Sequence, residues 1–179
     1  MVYLFLANGF EEIEALCPLD LLRRAGVEVT TVGIGGEMIR GSHGIVVQAD
    51  MPDTMFADAA PEMVILPGGM PGSKNLDESR VVDAALRVSA RKDAYIAAIC
   101  AAPFVLGKRG LLEGKEAICY PGFEKELTGA RISDKKVVRD GKIITAAGMG
   151  VALEFGLSLV AALKGEDVAD GIRRAVLAD

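Results

Sequence analysis

Apolar residues along this chain gather into short unbroken runs that take turns with longer stretches of helical spacing. Residues 2–7 form the first run and stop at Asn8-Gly9, the pattern of a buried strand closed by a turn. Ile13, Leu16, Cys17, Leu21 and Leu22 then recur at helical spacing over 11–25, with acids in the first turn and Arg23-Arg24 in the last, ahead of Gly26. Pro18 within that stretch cannot donate to the carbonyl of Glu14, which predicts a kink. Residues 27–34 alternate as a strand, so the strand-helix-strand order predicts a crossover to a parallel neighbour.

Further along, 38–47 reads as a small antiparallel excursion around Gly41-Ser42-His43-Gly44. Met63-Val64-Ile65-Leu66 is a second buried strand, ended by Pro67-Gly68-Gly69. A helix is predicted over 79–90, where Val81, Val82, Ala85, Leu86 and Val88 make an inner face. Residues 94–99 then run apolar into Cys100, and small residues turn the chain at once into a helical segment reaching Leu106. A strand over 115–120, a turn at Pro121-Gly122, a hairpin over 136–146 around Arg139-Asp140-Gly141, and helices over 151–163 and 168–177 complete the reading. No repeat, low-complexity tract or linker interrupts it, so residues 1–179 are read as one α/β domain.

Composition narrows the classes of function. About half of the 179 residues are hydrophobic and a quarter are charged, which suits a globular chain with well-buried strands. The net charge of −5, with arginines in pairs and not in stripes, argues against nucleic-acid and membrane partners. The first residues lack a positive leader, and the apolar run over 94–107 contains a proline and is too short to span a bilayer. A cytoplasmic location is therefore expected. The three cysteines form no C-x-x-C pair and fit reduced thiols. With His43 the single histidine, no metal is expected, and Gly33-Ile34-Gly35-Gly36 lacks the third glycine of a dinucleotide fingerprint, so no cofactor is assigned.

The chemistry centres on Cys100. Taken alone, a free cysteine among alanines reads as inert core. A strand-to-helix corner gives a second reading, a nucleophile elbow in which the following N–H groups favour the thiolate. In an open parallel sheet, sites form where loops leave the carboxyl ends of strands. Three such loops fall on one edge by chain direction: 8–14 after the first strand, 67–72 after a middle one and 100–103 after the next. Together they offer a thiol, backbone N–H donors and an acid, the parts of a nucleophile with an oxyanion hole. Pro67-Gly68-Gly69 also reads as a simple turn, and Glu11 and Glu12 as solvated capping acids. Glu14 lies one turn in; periodicity leaves it on the surface, whereas burial beside a thiolate would make it a proton donor to sulfur.

The ordered set Gly9-Phe10-Glu11-Glu12-Ile13-Glu14-Ala15, Pro18-Leu19-Asp20, Leu22-Arg23-Arg24-Ala25-Gly26, Leu66-Pro67-Gly68-Gly69, Ala97-Ala98-Ile99-Cys100-Ala101-Ala102-Pro103 and Ile144-Thr145-Ala146-Ala147-Gly148-Met149-Gly150 resembles the ThiJ/PfpI superfamily over nearly the whole chain. The similarity is to the branch of the parkinsonism-associated deglycase and its bacterial ThiJ-like members. That resemblance implies a flavodoxin-like three-layer sandwich with a mostly parallel sheet, and a homodimer built partly on the first helix near Ile13. It implies Cys100 as the reactive elbow cysteine and Glu14 as its protonated partner. Gly69 and Ala101 match the positions whose N–H groups face the sulfur, with oxidation to a sulfinate as a further implied property.

Activities it implies are cysteine-dependent conversion of methylglyoxal or glyoxal without glutathione, deglycation of early adducts, a redox-sensing or chaperone role under stress, and, in another branch, peptidase action. A thiazole monophosphate biosynthesis label also travels with this branch. The small carbonyl compound is thus the expected partner, besides a second copy of the chain. Departures narrow the list. Ala101 stands where the peptidase branches place histidine, which removes the usual base. Tyr120 stands where deglycases often carry histidine, with packing as its expected role and a hydrogen bond from the phenol to a substrate oxygen as the alternative. Ala147 replaces an arginine of a relative, and His43 reads as a surface histidine.

Overall fold

The computed structural model describes residues 1–57 and 60–178. Its main sheet contains β1 (Val2–Leu6), β2 (Val29–Gly33), β5 (Met51–Pro52), β6 (Met63–Leu66), β7 (Tyr95–Ile99), β10 (Val137–Asp140) and β11 (Ile143–Ala146). Two small ribbons lie outside it, β3 (Met38–Arg40) with β4 (Val46–Gln48), and β8 (Glu116–Ala117) with β9 (Arg131–Ile132). The sheet runs β10-β11-β7-β6-β1-β2-β5 and is parallel except for the β10–β11 hairpin. The strands β2-β1-β6-β7-β11 follow the flavodoxin-like order, in which the chain reverses direction across the sheet between β1 and β6, and β5 and β10 extend it at the two borders.

Alternation within each strand builds two cores. Leu4, Leu6, Ile65, Ala97 and Ile99 face α1 (Glu12–Arg24), α5 (Ala152–Lys164) and α6 (Glu166–Ala175). Phe5, Val64, Leu66, Ile96 and Ala98 face α2 (Gly72–Glu78), α3 (Arg80–Arg91) and α4 (Pro103–Gly107). Strands buried on both faces must be apolar throughout, which is why their sequences are unbroken runs. Close contact between α1 and α5 depends on Gly156, where a Cβ would lie 2.6 Å from Leu21 Cδ1 and 2.9 Å from Pro18 Cα. Pro18 thus sits inside a continuous helix, against that glycine.

Two elements differ from the sequence reading. The short helix α2 was not expected, since Gly72, Ser73 and Asn75 are poor helix formers. Tertiary bonds hold it: Gly72 N–H donates to Gly9 O at 3.1 Å, Ser73 N–H to Gly69 O at 2.9 Å, and Asn75 Nδ2 to Asn8 O at 2.8 Å. The strand expected over 115–120 shrinks to Glu116–Ala117. Beyond it, Ile118 N–H donates to Thr145 Oγ1 at 3.0 Å and Tyr120 N–H to Cys100 O at 2.8 Å, so these donors serve the sheet's carboxyl edge instead of a ladder.

Arg109 ties α2 to α4. Its guanidinium donates to Asp77 Oδ1 at 2.6 Å, Asp77 O at 2.8 Å, Val105 O at 2.9 Å and Asp83 Oδ1 at 3.0 Å. Those two helices follow directly on Gly69 and Ala101, so the clamp fixes the two loops that reach the cysteine. None of the described helices is long and apolar enough to cross a membrane.

Candidate active site

Cys100 ends β7 and opens the turn into α4 with φ +64°, a left-handed conformation that costs a non-glycine residue about 1 kcal/mol or more. Its N–H donates to Ala146 O at 2.9 Å and its carbonyl accepts from Tyr120, so both flanking loops hold the corner. The N–H groups of Ala101 and Gly69 face the sulfur and favour its charged form. Gly69 takes φ +87° to do so, against Gly9 O and Phe10 C, which a Cβ would meet at 2.6 and 2.7 Å. α4 is only five residues long, and these two N–H groups, not a helix end, are what favour charge on sulfur.

Glu14 reaches the same sulfur from α1. It is 1 % exposed, which decides between the two readings open from periodicity. Glu11 caps the helix, accepting the Glu14 N–H at 2.7 Å, while the Glu14 side chain turns inward to Gly68 and Cys100. Burial pushes the Glu14 carboxyl up to about 7; the bond to Cys100 and the N–H groups of Gly68 and Met149 oppose that, and the charge of Glu11 adds to it. Its Oε2 nonetheless has no hydrogen-bond partner at close range.

The thiol departs from the expected direction. Burial pushes it up to about 12, and the charge of Glu14 and the hydrogen bond to it add to this, against the two N–H groups. The cause lies in the pair: an ionised Glu14 accepts the thiol proton and repels a thiolate. Once the carboxyl is protonated, both effects vanish and it can donate to sulfur. One proton therefore moves between the two groups, and the pair titrates as a unit.

Gly148 and Met149, at the carboxyl end of β11, form a fourth loop at the site. A Cβ on Gly148 would lie 4.0 Å from Cys100 Sγ and 3.3 Å from the Tyr120 ring. Direction alone would have included this loop, because β11 is the parallel neighbour of β7. Tyr120, Gly148, Met149 and Lys136 border a cleft of about 400 Å³. The Tyr120 ring is half exposed on its rim, so the expected packing role is not met.

The expectation that Glu12 stays in water is also corrected. It is buried and takes the tip of the β3–β4 hairpin, accepting His43 N–H at 2.8 Å, Ile45 N–H at 3.4 Å and Ser42 Oγ at 3.4 Å, with His43 Nδ1 at 2.9 Å. His43 itself is exposed and its imidazole is raised by that carboxylate. Glu11, Glu12 and His43 bring three ligand-type atoms within 4.8 Å, but the Glu12 oxygens are already taken by the hairpin.

Residues 1–162 match the DJ-1/PfpI family. The chain belongs to it. Protein dj-1beta of Drosophila melanogaster is 39% identical over 178 residues, covering 96% of this chain and 94% of that one. The glutathione-independent glyoxalase DJR-1.2 of Caenorhabditis elegans is 31% identical over 159 residues, covering 88% of this chain and 84% of its own. Among solved structures, the oxidized DJ-1 of Toxoplasma gondii superposes with a TM-score of 0.94 at 35% identity, covering 98% and 97% of the two chains.

Proposed function

We propose that this DJ-1/PfpI member is a cysteine-dependent glyoxalase acting on methylglyoxal, glyoxal or their early adducts. The observation that carries the reading is the convergence of Glu14 and the Ala101 and Gly69 N–H groups on Cys100 Sγ, and a relative named as a glutathione-independent glyoxalase supports it. Sulfur attacks the aldehyde carbon while the thiol proton passes to Glu14, and the two N–H groups hold the oxyanion. Glu14 returns the proton to that oxygen, giving a hemithioacetal. The carbon-bound hydrogen then moves as a proton to the neighbouring carbonyl carbon through an enediol, leaving a thioester on Cys100. Water hydrolyses it to lactate and the free thiol, so the sum is methylglyoxal plus water to lactate. Purified protein without glutathione should therefore form lactate in step with methylglyoxal loss; loss without lactate would overturn the reading.

A second reading is a redox-sensing stress role without turnover, favoured by the structural likeness to a DJ-1 described as oxidized. Cys17 and Cys119 feel the charges of Asp20 and Glu124, but neither thiol has a carboxyl hydrogen-bonded to it to take its proton as Glu14 does for Cys100. Mild peroxide is expected to add two oxygens to Cys100 alone, read by peptide mass spectrometry. Equal oxidation at all three cysteines would remove the special environment assigned to Cys100.

The cytoplasm, whose reducing conditions keep three unpaired thiols free, is the proposed location. A homodimer through α1 is proposed as well, because Ile13 is 49% exposed on that helix and Leu153 is exposed on its neighbour α5. Sedimentation should give a dimer that Ile13→Lys converts to monomer; a monomeric wild type would end that proposal.

A further inference from the structure

We propose that a cleft at the amino end of β7, opposite to Cys100, binds a small phosphate monoester with an apolar body. The cleft holds about 540 Å³ between the end of α3, the start of β7 and the β10–β11 turn. Tyr95 is part of its lining. Lys142 Nζ lies over the Tyr95 ring, 3.9 Å from the centroid, and the Arg139 guanidinium carbon is 5.3 Å from it. Arg139 Nη2 also donates to the Tyr95 phenol oxygen at 2.9 Å, which fixes the fork in place.

Neither cation has a carboxylate partner among the described residues. The acid between them in the turn region, Asp140, is spent elsewhere: it accepts Glu116 N–H at 2.9 Å and pairs with Lys115 Nζ at 3.4 Å and Arg131 at 3.8 Å. An aromatic face attracts a cation without neutralising it, so neither charge is paired at salt-bridge distance, although Arg139 also borders a second pocket lined by Glu154, Glu166 and Asp170. Asp93, on the wall at the end of α3, is the one acid lining the cleft among the described residues, and with Lys115 matched by Asp140 this lining keeps a surplus of one positive charge.

That arrangement selects the ligand. A dianion answers both cations, and the planar fork of Arg139 can give two parallel bonds to a phosphate while Lys142 supplies a point charge. Leu111, only partly buried, contributes apolar wall beside the Tyr95 ring, which favours a ligand carrying a hydrocarbon body over inorganic phosphate. Tyr95 and Cys100 lie at opposite ends of one strand, roughly 17 Å apart at about 3.3 Å per residue. The cleft is therefore not a subsite of the cysteine chemistry, and it stands whatever Cys100 does.

Titration calorimetry at low salt with phenyl phosphate, inorganic phosphate and benzoate tests this on the whole protein. Phenyl phosphate is expected to bind saturably, at least about tenfold more tightly than either of the others, and about tenfold more weakly to each of Lys142→Met and Arg139→Gln. Arg139 lies on the outer strand β10 and Lys142 in the turn after it, and both variants should alkylate Cys100 at the wild-type rate, which verifies their folding. Absence of saturable binding up to about 5 mM, or equal binding by the double variant, overturns the site. Equal affinity for phenyl and inorganic phosphate overturns the apolar half of the assignment.

Discussion

Serine at position 100 is expected to lower methylglyoxal conversion by at least about a thousandfold, because an alcohol in the same corner is a far poorer nucleophile. Unchanged turnover in that variant would place the chemistry elsewhere. Glu14→Gln separates the acid from the thiol. In the wild type, alkylation of Cys100 should rise as the pH passes about 7, where Glu14 loses its proton and becomes able to take the one on sulfur. Glutamine cannot accept that proton, so the step near 7 should vanish and reaction should await the thiol's own ionisation. An identical pH profile in Glu14→Gln would remove Glu14 from the mechanism. Stability moves in the opposite sense. Below its ordinary value of 4.5 Glu14 is protonated whether folded or not; between there and about 7 the folded state holds the extra proton, so stability falls with rising pH. Above that range the cost is complete, at about 3 kcal/mol, and Glu14→Gln should melt higher than the wild type at pH 8 but not at pH 4.

Gly68→Ala is expected to be nearly as damaging, although it changes no reacting group. The added carbon would lie 2.5 Å from Cys100 Cβ and 2.9 Å from Ile99 O, and it would meet Glu14 Oε2 at closer range still. Neither the Cys100 Cβ nor the Ile99 carbonyl can yield, so the carboxyl must swing away from the thiol. Overpacking of this kind costs about 1–3 kcal/mol, and displacing a reacting group by about 1 Å costs roughly a hundredfold in rate. Gly171→Ala, on α6 with open space around it, is the matched control and should leave rate and melting temperature near the wild type. A Gly68→Ala enzyme with a normal rate would show that Glu14 and Cys100 need no contact.

Much of the fold was legible because burial on both faces leaves no polar position in β6 or β7, and chain direction then sets three loops on one edge. What the residues could not reveal is where tertiary contacts override local pattern. Nothing in Gly72, Ser73 and Asn75 announces a helix, since its bonds come from Asn8, Gly9 and Gly69. Glu12 and Glu14 look alike in sequence, yet one locks a hairpin and the other faces a thiol. The order of motifs pointed to Cys100 and Glu14 together, whereas the direction of the thiol's shift required the burial and geometry of the pair.

The two outer strands of the main sheet carry a consequence for self-association. On one side β5 is only two residues long and ends in Pro52, which has no N–H to offer. On the other, Asp140 of β10 turns back to take the Glu116 N–H, and Arg139 bends over Tyr95. A second copy meeting the β5 border finds no continuous row of free backbone groups to extend. Growth of a fibre by strand addition is therefore disfavoured at the β5 border.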